Sequence, residues 1–368
     1  MRPLTRLSPP FILRQVLAIT LCFPAGLCAA TGPLPFLSGE TPSGGNFALL
    51  DRIGIEITSG SRPFVFTNKQ TAFFYGETGG PNTTSWQGFN VFGREFLDDY
   101  ELLINGEPLP RRTATRTRLY PDHLERVYPG GITEELWPVD SLPLFGVILR
   151  SPEPVDAGIR PFFTDGRTGT DFRLALRQGV ALVARTNHLE QTASANYPVW
   201  LAIAHPQALP DSSVNTRGRA FSPVRLYAPK QRVHMFGFAV ENPPDAAAVL
   251  ALSFHTRSAA YATARRSRLE QLLASTHIRT GNPSFDSAYA WAVLSLDALI
   301  MNQSGKGIFA GLPWFNNYWG RDTFIALPGA ALVTGRFREA REILRSFSDF
   351  QDRNPASPNF GKIPNIVT

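Results

Sequence analysis

The run HTRSAAYATARRSRLEQLL, residues 255–273, divides this sequence into two textures. Alanine, leucine, arginine and glutamate dominate it, all strong helix formers. Ala259, Ala260, Ala262, Ala264, Leu269, Leu272 and Leu273 lay one apolar stripe among Arg265, Arg266, Arg268 and Glu270. The run reads as a linker helix over residues 256–280.

Upstream, residues 33–255 have the texture of strands. Ile53, Ile55 and Ile57 alternate with polar or small neighbours, as a half-buried strand requires, and further β-rich runs lie at 145–149, 181–183 and 233–240. Asn105-Gly106 separates Leu102-Leu103-Ile104 from Thr113, Thr115 and Thr117 and reads as a tight hairpin turn, since both residues tolerate positive φ. Pro129-Gly130-Gly131, Asp165-Gly166 and Asn242-Pro243-Pro244 punctuate the rest. Short strands and turns without a helical period between them predict a large antiparallel β-sandwich.

Downstream, Asn282 as N-cap and Pro283 at the first helical position announce a second helix. Its stripe runs Phe285, Ala288, Tyr289, Ala292, Val293, Leu296, Leu299, Ile300. A third helical stretch follows Asp322 and breaks at Pro328-Gly329. A fourth follows Thr334-Gly335, with Phe337, Ala340, Ile343, Leu344, Phe347 and Phe350 on one face. Three or so helices over residues 281–368 are too few to close an independent helical domain. The fold class predicted is a β + α multidomain chain.

Composition excludes several classes of function. With 43% hydrophobic and 18% charged residues among 368, the chain is neither disordered nor a polytopic membrane protein. Residues 1–30 read as an export signal, with basic residues up to Arg14, an apolar run from Val16 to Leu27, and Ala29-Ala30 before the cleavage point. The expected location is therefore periplasmic or secreted, without stable membrane insertion after cleavage. Both cysteines, Cys22 and Cys28, lie in that segment, so the mature chain has no thiol chemistry. Without Arg2, Arg6 and Arg14 the formal charge of +6 falls to +3, and no basic run remains, which argues against nucleic acid as a partner. His123, His188, His205, His234, His255 and His277 never fall at ligand spacing, and no phosphate-binding glycine motif or serine elbow is present. No cofactor or metal is expected. Glu134 and Glu135, adjacent on a strand, point to opposite faces and cannot flank one scissile bond.

The densest chemistry lies in AGLPWFNNYWGRDT, residues 310–323, where four rings (Trp314, Phe315, Tyr318, Trp319) precede Arg321-Asp322. Pyranose rings stack their C–H faces on such side chains while their hydroxyls take carboxylate, amide and guanidinium partners. The competing reading is a hydrophobic loop with Asp322 as a helix N-cap and Arg321 in a surface ion pair.

This loop, together with Leu332-Val333-Thr334-Gly335-Arg336-Phe337, Ala340-Arg341-Glu342-Ile343-Leu344 and Gly361-Lys362-Ile363-Pro364-Asn365, closely resembles the amylo-α-1,6-glucosidase part of glycogen debranching enzymes. The resemblance implies a β-sandwich followed by the first helices of an incomplete (α/α)6 toroid. It implies an inverting glycoside hydrolase for α-1,6-linked glucose, acting on an α-glucan or oligosaccharide, with carboxyls ~6.5–9.5 Å apart. Trp314, Phe315, Trp319, Arg321 and Asp322 would bind the terminal glucose, the tryptophans walling its pocket. The family's acid and base lie well past the Gly361–Asn365 motif and so beyond Thr368. No residue of this chain can be assigned either role by motif, and the chain reads as an inactive N-terminal fragment. Another glucoamylase- or trehalase-like toroid hydrolase, and a non-catalytic carbohydrate-binding sandwich, are the alternatives.

Overall fold

The structure, a computed structural model, describes residues 48–164, 171–187, 199–212, 215–218, 220–276 and 278–367. The export signal with its two cysteines, the Asp165-Gly166 turn, His188, His277 and Thr368 lie outside those residues. The expectation that acid and base fall beyond Thr368 therefore also lies outside them.

Two antiparallel sheets share one core. The larger, twelve-stranded among the described residues, is built on the pairing of Leu144–Phe162 with Arg225–Glu241. Both are far longer than the 145–149 and 233–240 runs legible in the sequence. Register shifts between Arg150 and Ala157 absorb Pro152 and Pro154, which have no N–H to give the ladder. The smaller sheet runs Pro63–Thr67, Ala72–Glu77, Gly88–Val91, Arg94–Leu97. Its Phe74 and Phe89 each pack 4.9 Å from Phe145 of the larger sheet, which stacks on Phe238 at 4.4 Å. The Asn105-Gly106 turn forms with positive φ at both residues, but the returning strand is only Glu107–Pro108. Thr113 instead closes a short 3-10 turn. Glu134 and Glu135 do face opposite ways. Glu134 is buried and accepts from Tyr100 Oη and Tyr128 Oη at 2.6 Å and from Arg126 at 2.7 Å, while Glu135 meets Arg150 at 3.2 Å.

The helix read as 256–280 spans Pro244–Thr276 and is no free linker. We number the helices α1 (Ala48–Arg52), α2 (Pro244–Thr276), α3 (Pro283–Leu299), α4 (Gly320–Leu327) and α5 (Phe337–Asp349). The first half of α2 lies on the outer face of the larger sheet, where Ala247, Ala248, Ala251 and Phe254 meet Leu144, Ile148, Leu182 and Ala239. Small residues on both sides allow the approach. Gly146 and Gly237 are cross-strand partners beneath the helix, and a Cβ on Gly237 would stand 2.0 Å from the Ala251 carbonyl oxygen. The arginines in the second half of α2 are committed to the β region. Buried Arg265 reaches the carbonyls of Asp122 and Thr67 and the Asp140 carboxylate, and Arg266 pairs with Asp122 at 2.8 Å.

Ile53 is not a strand residue. It follows α1 and packs with Leu50 against Leu269, Leu273, Ala290, Val293 and Leu294. The start of α3 is as the sequence reads, with Asn282 Oδ1 accepting from the N–H groups of Ser284 and Phe285. Its buried face is shifted to Ala290, Val293, Leu294 and Asp297, leaving Phe285, Ala288 and Ala292 exposed. Ile300 leaves the helix for a four-stranded antiparallel sheet, absent from the sequence reading, of Ile300–Met301, Gly307–Gly311, Phe315–Trp319 and Ile366–Val367. Helix α4 begins at Gly320, runs into a π-turn at Pro328–Leu332 and hands over to α5, which buries Ala340, Ile343 and Phe347 but not Phe337 or Leu344.

Candidate functional site

The loop of four rings is the hairpin of that small sheet, and strand alternation sorts its side chains. Phe315, Asn317 and Trp319 share one face of their strand, Asn316 and Tyr318 the other. On the first face the Phe315 and Trp319 rings meet edge to face at 6.4 Å and 87°, and Trp319 Nε1 donates to Asn317 Oδ1 at 2.9 Å. On the second, Tyr318 is buried 5.5 Å from Phe309 and 6.3 Å from Phe347, donates to the Gly305 carbonyl and accepts from the Gln303 N–H. Burial raises its phenol well above the ordinary range. Tyr318 is therefore a core residue, and the other three rings remain available to a ligand.

Trp314 and Phe315 are 58% and 54% exposed, so they form an open shelf rather than the walls of an enclosed pocket. Two cavities of the structure, of about 300 Å³ beside Tyr100 and Arg111 and about 700 Å³ beside Lys306 and Glu342, do not include these rings. Trp314 leans edge-on against Tyr75 of the smaller sandwich sheet at 6.5 Å, and Asn316 Oδ1 would stand 3.3 Å from a Cβ on Gly93. The β region thus borders the shelf. Tyr75 escaped the sequence reading because nothing in its own strand links it to a loop so far downstream.

Arg321 and Asp322 occupy the first turn of α4, with side chains 70% and 40% exposed and 3.9 Å apart. At that separation and exposure the pair adds little to stability. Asp322 is not the N-cap. Trp319 holds that position without any side-chain cap, and the cap comes from Asn365, whose carbonyl accepts from Gly320 N–H at 2.7 Å and whose Oδ1 accepts from Arg321 N–H at 3.1 Å. Asp322 Oδ2 is shielded from solvent and accepts no hydrogen bond from the described residues. The hairpin offers the Phe315 and Trp319 rings and the Asn317 amide on one face of its strand, and the helix start that follows offers the Arg321 guanidinium and the Asp322 carboxylate. Among the described residues no group of three or more His, Cys, Asp or Glu could hold a metal ion.

Residues 275–367 match the family model described as amylo-alpha-1,6-glucosidase, which covers the motifs quoted from Phe309 to Asn365. The fold is similar to that of a bacterial glucoamylase solved in complex with acarbose, with a TM-score of 0.50 and 12% identity over 85% of this chain and 53% of that one. This chain therefore spans about half the length of that glucoamylase. A putative kojibiose phosphorylase from the human microbiome aligns with a TM-score of 0.37 and 7% identity over 65% of this chain and 39% of that one.

Proposed function

We propose that this chain is part of an exported glycoside hydrolase of the debranching type, cleaving α-1,6-linked glucose with inversion. The observation that carries the reading is a coincidence of place. The segment matching the amylo-alpha-1,6-glucosidase model holds the exposed Trp314 and Phe315, the half-buried Trp319 and the Arg321-Asp322 turn that follows them. A terminal glucose stacks on the shelf and gives its hydroxyls to Asp322, Arg321 and Asn317. Helices α3, α4 and α5 are then the first of an (α/α)6 toroid, whose later helices would cover Ile325, Val333, Phe337 and Leu344, all exposed here. Acid and base are assigned to no residue up to Thr368, and the chain alone is expected to bind but not hydrolyse.

Titration of the full chain with acarbose and isomaltose, followed by tryptophan fluorescence, tests this. Binding is expected, with Asp322→Asn weakening it roughly tenfold through lost charge-assisted hydrogen bonds while Tm stays within about 2 °C. Absence of binding, or binding unchanged in Asp322→Asn and Trp319→Ala alike, sinks the reading, and glucose release from a branched α-glucan by the chain alone would place acid and base within it. Export is a separate part of the proposal. N-terminal sequencing of protein expressed with residues 1–30 should find a mature chain beginning near Thr31 outside the cytoplasm. Uncleaved cytoplasmic protein would refute it.

A further inference from the structure

We propose that Asn365 is a positioning residue that holds Arg321 and Asp322 in place by capping α4 across the hairpin; the inference rests on reading the shelf as a glucan subsite. Helix α4 starts directly from a strand, so no loop residue precedes it to serve as cap. Trp319, at that place, has extended backbone and a side chain that cannot accept from the free N–H groups. The chain solves this at a distance of 44 residues. Pairing of Trp319 with Ile366 and Tyr318 with Val367 sets the register that brings Asn365 over the helix start. There its carbonyl and its Oδ1 take the first two N–H groups, those of Gly320 and Arg321.

The functional consequence follows from what else holds that turn. The Arg321 guanidinium is mostly exposed and meets Asp322 only at 3.9 Å, and Asp322 Oδ2 accepts no hydrogen bond from the described residues. Their side chains have little to fix them, so their positions are those of the backbone of the first turn. Asn365 fixes that backbone. Deeper in the helix, Thr323 is buried and donates to the Ile308 carbonyl, so loosening should stop at the first turn and spare the remainder of α4. A ligand that needs both side chains at once then binds a turn ordered in advance and loses less conformational freedom on binding.

The experiment uses the full chain and the variants Asn365→Ala and Asn365→Asp. Hydrogen exchange resolved to single amides should show Arg321 exchanging roughly tenfold faster in Asn365→Ala, with Gly320, whose N–H keeps the main-chain carbonyl of residue 365, and the amides of α5 unchanged. Affinity for acarbose should fall roughly five- to twentyfold while Tm drops by no more than about 3 °C. Asn365→Asp, which keeps the accepting oxygen and adds a charge favoured at a helix N-terminus, should restore both. Unchanged exchange at Arg321 overturns the proposal whether or not the chain binds any sugar. Faster exchange with undiminished acarbose affinity overturns it too, because the cap would then serve the fold alone. A wild-type chain that binds neither acarbose nor isomaltose refutes the glucan reading, and the exchange data then decide by themselves whether Asn365 orders the Arg321-Asp322 turn.

Discussion

Replacing Asp297 with asparagine lowers the free energy of unfolding by about 3–5 kcal/mol, the range for removing one partner from buried ion pairs. Asp297 sits in the last turn of α3, buried, with Arg336 at 2.8 Å and Lys69 at 3.2 Å on Oδ1 and Arg268 at 2.7 Å on Oδ2. Each cation comes from a different segment: Lys69 from a turn of the smaller sandwich sheet, Arg268 from α2, Arg336 from the approach to α5. Burial opposes the carboxylate's charge, yet the three cations outweigh it and hold the group well below the usual carboxylate range. The stability it contributes is therefore full above that range and lost as pH falls through and below it. Burial also pulls the Lys69 ammonium down to about 8 in spite of Asp297, so it is mostly charged at neutrality. Lys69→Met should cost less than Asp297→Asn, because two arginines still neutralise the carboxylate, and the double variant should cost less than the sum. Urea unfolding of the full chain measures all three. A loss under about 1 kcal/mol for Asp297→Asn would mean that these segments are held by apolar packing alone.

The sequence reading succeeded where the signal is local and failed where it lies in a distant partner. Asn282-Pro283 opens a helix because cap and first turn are contiguous, and Asn105-Gly106 makes its turn because two adjacent residues accept positive φ. The first half of α2 was missed because residues 246–254, apolar almost throughout, follow a true strand closely, and a helix that buries alanines against a sheet shows no clear polar face. Nothing near Arg265, Arg266 and Arg268 in the sequence shows their partners, and only the fold brings Asp122, Asp140 and Asp297 to them. At the candidate site, the motifs from Phe309 to Asn365 were legible by resemblance, while the geometry was not. One available signal was passed over. Reading residues 315–319 as a strand would have placed Phe315, Asn317 and Trp319 together and set Tyr318 apart by period alone. Nothing local could have shown that Tyr75 borders the shelf or that Asn365 caps α4.

Acidification from pH 6.5 to pH 5 should lower stability, and His205 should account for a slope that grows from about 0.7 kcal/mol per pH unit at pH 6.5 to about 1.4 near pH 5. His205, His234 and His255 come together where the turn after strand Trp200–Ala204, the long strand Arg225–Glu241 and α2 meet, with ring centroids 5.4 and 5.9 Å from His205. Each of the two buried rings has one nitrogen engaged by the backbone: His234 Nε2 donates to the Val155 carbonyl at 2.9 Å, and His205 Nδ1 accepts from Gln207 N–H at 3.2 Å. The other nitrogen of His205, Nε2, is buried with no hydrogen-bond partner among the described residues, so an added charge there would go unanswered, whereas the His234 ring has the main chain of Val155 and Gln231 and the Asp156 carboxylate to favour its charge. Burial lowers the affinity of all three for protons, and for His205, with His234 and His255 beside it, the value falls to about 3. The unfolded chain takes up protons near pH 6.5 and the folded chain does not. The stability from the neutral rings is thus full above about pH 6.5 and declines as pH falls toward the folded value. The buried ion-paired carboxylates lose their contribution only lower, within and below their own range, whereas burial raises the Glu241 carboxyl, so the window from pH 6.5 to 5 belongs to histidine and Glu241. His205→Asn separates the two, since its amide oxygen can still accept from Gln207 N–H but takes no proton. Its urea midpoint should vary with pH by about half to one proton less than that of the wild type across that window. Equal slopes in the two proteins would show that His205 is protonated in the folded state and that the cluster carries charge without cost.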